Sequence, residues 1–249
     1  MNPRLPTSDR RVRALALAAL LVALLAYGAF AEHLFGLPSG LDVVFHSVVV
    51  FPAFAAVIWL GLPFARSGSV RLLAAAATLA VLAVGLTVLD LDSGANVAKL
   101  VCYTLLGYWF LSLFEEAWWV TLVAVLVPWV DVWSVAAGPT RYVLEEEPGI
   151  FDRVSVAFPN PGENTSVNIG PPDVLFFALF LAAADRFRLR VAWTWISMTA
   201  FLALTLVLVW TWDDVAGLPA LPAVCIGFLF PNADLLWRGA REAWVAART

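Results

Sequence analysis

This chain of 249 residues has little of what marks a soluble enzyme: charged side chains make up 14%, with two cysteines, two histidines and a single lysine, Lys99. Cys102 and Cys225 both fall inside apolar stretches, so they read as small packed hydrophobes and offer no disulfide framework. His33 and His46 lack metal-ligand spacing to carboxylates or to each other; they read as packed or interfacial side chains, and no metal or other cofactor is expected. With 19 acidic against 15 basic residues the net charge of −4 says little about partners; no nucleic-acid partner is expected. What is abundant is apolar surface. At 62% hydrophobic residues and a mean hydropathy of +0.86, the chain has too little polar surface to cover a core of its own size, which excludes a soluble globule and indicates a polytopic membrane protein.

Runs long enough to cross a bilayer, about 17 to 25 residues each, fall at 14–31, 42–64, 72–89, 98–114, 117–137, 172–187, 191–212 and 217–236. The expectation is therefore an all-α membrane protein of about eight spans forming one domain. Residues 1–116 supply its N-terminal helices, 117–236 the helices that carry the chemistry, and 237–249 a tail. The first run, with a basic start and Ala29-Phe30-Ala31, imitates a signal peptide but is long for one and reads as a retained span.

The arginines are one-sided. Arg4, Arg10, Arg11 and Arg13 precede the first run, Arg66 and Arg71 follow the second, Arg186, Arg188 and Arg190 follow the sixth, and Arg238, Arg241 and Arg248 follow the eighth. The positive-inside rule makes those segments, and both termini, cytoplasmic. The alternate loops carry Glu32, Asp42, Asp90, Asp92, Asp213 and Asp214, and the long connection 138–172, with Glu145, Glu146 and Glu147, falls outside with them. Lys99 opens the fourth run and is expected to snorkel to the outer surface. Trp118, Trp119, Trp193, Trp195, Trp210, Trp212, Trp237 and Trp244 lie near span ends, as interface anchors do.

The segment 138–172 is longer than the other connections and rich in turn formers: Gly138-Pro139, Pro148-Gly149 and Pro159-Asn160-Pro161-Gly162. Within it 154–158 and 166–169 alternate as short strands around the last of these turns and predict a small β-hairpin. Asn164-Thr165-Ser166 matches a glycosylation acceptor, which matters only in a glycosylating host.

Two carboxylates stand out, because an ionised group at membrane depth costs about 2.5 to 3.5 kcal/mol on insertion scales and is seldom kept without a role. Asp131 lies in Pro128-Trp129-Val130-Asp131-Val132-Trp133, toward the outer end of the fifth run. Asp173 lies in Gly170-Pro171-Pro172-Asp173-Val174, at the outer start of the sixth. Consecutive antiparallel spans bring them to similar depth. A third patch, Pro219-Ala220-Leu221, opens the eighth run on the same side.

In this order the three patches resemble the presenilin and signal peptide peptidase family of intramembrane aspartyl proteases. That family carries one aspartate in a Tyr-Asp pair, a second in Gly-x-Gly-Asp on the next helix, and Pro-Ala-Leu at the start of its last helix. Pro219-Ala220-Leu221 matches in full, Gly170 and Asp173 match the ends of the second motif, and Asp131 matches the first aspartate; Val130 stands where the family has tyrosine and Pro172 where it has glycine. The resemblance covers about 117–236. It implies a presenilin-like arrangement, Asp131 and Asp173 as the catalytic dyad, Gly170, Pro171, Pro172, Pro219, Ala220 and Leu221 shaping the site, and transmembrane peptides as substrates.

Carboxyl pairs hydrolyse peptides with one member ionised to draw a proton from water and the other protonated to donate one. Asp173, in a first helical turn, is expected to be the anion and Asp131, in an apolar wall, the acid. Pro171-Pro172 is expected to end an extended segment and start a helix at Asp173. Two other readings remain open: a proton-coupled transporter or channel using the same aspartates, and a non-catalytic relative that binds transmembrane helices, for which Pro172 is the argument.

Overall fold

The computed structural model describes residues 7–138, 148–211 and 219–246. Arg4, Pro139, Glu145, Glu146, Glu147, Trp212, Asp213, Asp214, Gly217, Leu218 and Arg248 lie outside the described residues. The described residues are mostly helical and hold one two-stranded antiparallel sheet. Helix α1 is Thr7–Phe30. A continuous helical stretch follows, made of α2 (Ser39–Phe45), a π-helical turn (His46–Val50), α3 (Phe51–Gly61) and a 3₁₀ turn (Leu62–Arg66). Next come α4 (Ser69–Val88), α5 (Asp92–Leu111), α6 (Ala117–Ala137), the short α7 (Pro148–Val154), β1 (Val156–Pro159) and β2 (Ser166–Ile169). The chain closes with α8 (Pro171–Arg186), α9 (Val191–Thr211) and α10 (Leu221–Ala246).

Helices stand at each expected apolar run, and α6 has the expected bounds. Among the described residues five stretches are long and apolar enough to cross a membrane: Arg10–His33, Gly40–Arg66, Ser69–Val88, Ala117–Val135 and Val191–Thr211. The other long helices differ for physical reasons. Helix α5 carries Asp92 and Lys99, and α10 carries Asp234, Arg238 and Arg241. Helix α8 has 16 residues, about 24 Å at 1.5 Å per residue.

Helix α8 is short but central. Its residues 177–184 are all buried, so it is enclosed on every side, as an all-round apolar helix must be. Phe177 packs edge-on against Phe54 of α3 at 5.4 Å, and Phe180 stacks on Phe228 of α10 at 4.8 Å. Helix α5 approaches so closely that a Cβ on Gly107 would lie 2.4 Å from the Leu175 carbonyl oxygen and 2.7 Å from the Ala178 Cβ. Small residues permit this backbone approach where hydrophobic driving force between helices is weak.

At the end of the bundle where α8 finishes, Arg190 grips Asp234 through two guanidinium hydrogen bonds of 2.6 and 2.8 Å. Beneath that pair Asn232, fully buried, accepts from the Arg190 backbone N–H and donates to Thr194 Oγ1 and the Phe228 carbonyl, so its polar groups are satisfied.

The hairpin caps the opposite end. The first strand begins at Val156 because α7 runs through Val154; pairing runs Val156↔Ile169, Ala157↔Asn168, Phe158↔Val167 and Pro159↔Ser166. Val156, Phe158 and Ile169 are buried, with Phe158 edge-on to Phe54. Asn96 Oδ1 accepts the Ala157 N–H at 3.1 Å, the Tyr103 hydroxyl donates to the Val154 carbonyl at 2.7 Å, and the Tyr27 hydroxyl donates to the Pro159 carbonyl. Gly162, with φ of +72° in the turn, donates its N–H to the Ala31 carbonyl at 2.8 Å; a side chain there would be strained and would strike Gly36. Lys99 departs from expectation. It does not snorkel: 8% exposed, its ammonium donates to the carbonyls of Arg153 and Ser155, because the α7–β1 strap folds over it.

The contact of α5 with α8 gives a direct test. Gly107→Val should cost about 1 to 3 kcal/mol by overpacking and lower the unfolding midpoint of the detergent-solubilised protein. Gly85→Ala, at a position with open space around it, should leave the midpoint unchanged or raise it; equal losses for the two would contradict the packing.

Candidate functional site

Helix α6 carries Pro128, which lacks the N–H that would bond the Ala124 carbonyl and so loosens the helix one turn before Asp131. The Asp131 carboxylate leaves α6 sideways, and its Oδ2 accepts the Leu221 backbone N–H at 3.2 Å. Leu221 is the first residue of α10, where N–H groups have no partner within the helix and the helix dipole favours an anion. The segment Pro219-Ala220-Leu221 therefore delivers a helix N-terminus to a carboxylate 90 residues earlier in the chain.

Asp173 is built differently. Gly170 is extended (φ −65°, ψ 151°) as the residue before α8, Pro171 and Pro172 occupy its first turn, and Asp173 Oδ2 reaches back to accept the Gly170 N–H at 3.2 Å. Proline has no N–H to waste at these positions and is pre-set for a helical φ. The start of α8 is thus fixed from both sides, by the hairpin before it and by this cap.

The structure brings these pieces together. The charge of Asp131 acts on Asp173, and both act on Cys225, which sits buried one turn into α10. Each aspartate is half-buried and spends one oxygen on a backbone N–H; among the described residues neither Oδ1 has a hydrogen-bond donor. Sequence reasoning gave a helix N-terminus to Asp173 alone. In fact Asp131 has one as well, supplied by α10, so the dipole argument for Asp173 as the anion is lost. Sequence reasoning also treated Cys225 only as packing, although its place four residues after Leu221 puts it on the same face of α10, one turn further on.

Gly170 and Leu221 are buried, Pro171, Pro219 and Ala220 half-buried, and Pro172 exposed. The outer face of α6 beside Asp131 is open: Val130, where the family pattern has tyrosine, is 63% exposed and Trp129 73%. The hairpin also leaves an edge. Because the Ala157 N–H turns away from β2 toward Asn96, the opposite residue, Asn168, turns its own backbone N–H and carbonyl away from β1, two residues before Gly170. No group of three or more metal-ligating side chains exists among the described residues.

No protein-family model and no curated protein matches the chain. The site must be read from its own geometry.

A cross-link tests that geometry. In a Cys225→Ala background, cysteines introduced together at Asp131 and Leu221 should be joined in high yield by a short bifunctional thiol reagent, as read by mass spectrometry of peptides. No cross-link in the folded protein would separate α6 from the start of α10.

Proposed function

We infer that the protein is an intramembrane aspartyl protease that hydrolyses peptide bonds in or near transmembrane segments through Asp131 and Asp173. The observation that carries this reading is the meeting of Asp131 with the Leu221 N–H beside Asp173, which joins three patches distant in sequence at one point.

In the proposed reaction the two carboxyls share one proton, since two like charges at close range do not both ionise cheaply. The ionised carboxylate takes a proton from water while the water oxygen attacks the peptide carbonyl carbon. The protonated carboxyl gives its proton to the carbonyl oxygen. Proton transfer to the amide nitrogen then lets the C–N bond break, leaving a carboxylic acid and an amine. No cofactor takes part. A backbone N–H donor holds each aspartate in its orientation, by a hydrogen bond worth about 1.5 to 3 kcal/mol on the ionised member and about 0.5 to 1.5 kcal/mol on the protonated one.

A helical substrate hides its peptide bonds, so it must unwind first. The free edge at Asn168 offers an extended segment two main-chain hydrogen bonds just before the dyad, which is β-strand addition in a water-poor place. The exposed apolar face of α6 suits the approach of a transmembrane segment. This reading takes the helices as about eight spans in a presenilin-like arrangement, with both termini cytoplasmic and the hairpin loop outside.

Co-expression with a transmembrane reporter provides the test. Asp131→Asn and Asp173→Asn should each abolish cleavage, and the double variant should be no worse, because members of a catalytic unit are non-additive. Pro172→Gly should keep cleavage within about tenfold, a change under ~1.4 kcal/mol in the transition state. A silent wild type that gains dyad-dependent cleavage on Pro172→Gly would instead make the native chain a non-catalytic relative. Proton flux lost on substituting either aspartate, in a chain that cleaves nothing, would favour the transporter reading.

A further inference from the structure

Lys99 and its surroundings form a second site that the dyad does not use. A cavity of about 620 Å³, within the usual range for ligand sites, lies between α4, α5 and the α7–β1 strap. Its wall along α4 is made of Ala80, Ala83 and Val84; its polar end is made of Lys99, Tyr103 and Arg153. Lys99 is the chain's single lysine and is more than nine-tenths buried. Its ammonium has three donors, of which two go to the carbonyls of Arg153 and Ser155. Among the described residues no carboxylate lies within ion-pairing distance of it, and Asp92 and Asp152 act on it only from farther away.

A buried cation without an ion pair is costly unless an anion joins it. In the lining itself Arg153 adds a second positive charge at the same end and Asp90 one negative charge at the rim, while Asp92 and Asp152 act on Lys99 from outside the lining. The apolar wall belongs to Ser69–Val88, one of the helices long and apolar enough to cross a membrane, so it lies where lipid chains lie. A free inorganic anion would satisfy the cations and leave the α4 wall bare. We propose that this cavity binds an anionic phospholipid, with the phosphodiester on Lys99 and Arg153 and an acyl chain along Ala80, Ala83 and Val84. The lipid would touch the strap that leads into the hairpin. The proposal does not depend on the protease reading.

Native mass spectrometry of the full chain in detergent tests it, with phosphatidylglycerol, phosphatidylcholine of the same acyl chains, and inorganic phosphate as probes. Phosphatidylglycerol should bind about tenfold more tightly than phosphatidylcholine, and inorganic phosphate should not displace it. Arg153→Gln, at an exposed side chain, should remove most of that preference, and Lys99→Gln the rest. Ala80→Trp, which fills the apolar wall from an exposed position, should weaken both lipids while leaving the cations in place. Should Lys99→Gln fail to fold because the strap is released, Arg153→Gln and Ala80→Trp carry the decision. Equal binding of the two lipids, a preference unchanged in Arg153→Gln, or displacement by inorganic phosphate at lipid-like concentrations would each overturn the proposal.

Discussion

The enclosure of α8 is the constraint on which the molecule rests. With residues 177–184 buried on every face, this helix cannot slide or turn without repacking α3, α5 and α10 at once. Interiors packed to crystal-like density give way in discrete steps, not by gradual deformation. Whatever stands at the N-terminus of α8 is therefore held in place, and what stands there is Asp173. The close backbone approach at Gly107 fixes the helix along its length, while the hairpin and the Gly170 cap fix its first turn. A short helix can do this because its neighbours, not its own length, screen it from lipid.

The second carboxylate is positioned by another route. Asp131 sits past a proline on a helix whose outer face is open, and it gains its definition from the N-terminus of α10. The two aspartates thus belong to elements of different burial, one in the protein centre and one at its boundary. That asymmetry suits a site which must stay fixed for chemistry and still admit a substrate from the side. The hydrogen bond from Leu221 also gives the Pro219-Ala220-Leu221 segment a physical role, since it presents a backbone donor that no side chain needs to supply.

Much of this was legible in the chain because it depends on local chemistry. The bounds of α6 follow from a long, mostly apolar run, the start of α8 from paired prolines, and the hairpin from alternation around Pro159-Asn160-Pro161-Gly162. The rest depends on what lies across the bundle. Lys99 was expected at the surface because lysine near a span end usually reaches water; only the folded strap provides the carbonyls that keep it inside. Cys225 comes under the charges of Asp131 and Asp173 because α10 brings its N-terminal end there, which only the packing of α10 reveals. His46, read as lacking metal-ligand spacing to carboxylates, lies one helical turn from Asp42, with Nδ1 at 3.6 Å from Oδ1. Among the described residues five stretches are long and apolar enough to cross a membrane, and run length alone does not tell such a stretch from a helix shielded by protein.

The central claim is that Asp131 and Asp173 act as one unit on a tetrahedral centre. Binding of a peptide carrying a secondary hydroxyl in place of the scissile carbonyl, against the same peptide with a methylene there, measures this without requiring turnover. If the dyad is formed, the hydroxyl peptide should bind at least about 100-fold more tightly to the wild type, as transition-state mimics do. That advantage should vanish in both Asp131→Asn and Asp173→Asn. Equal affinity of the two peptides for the wild type, or an advantage that survives either substitution, would contradict the account.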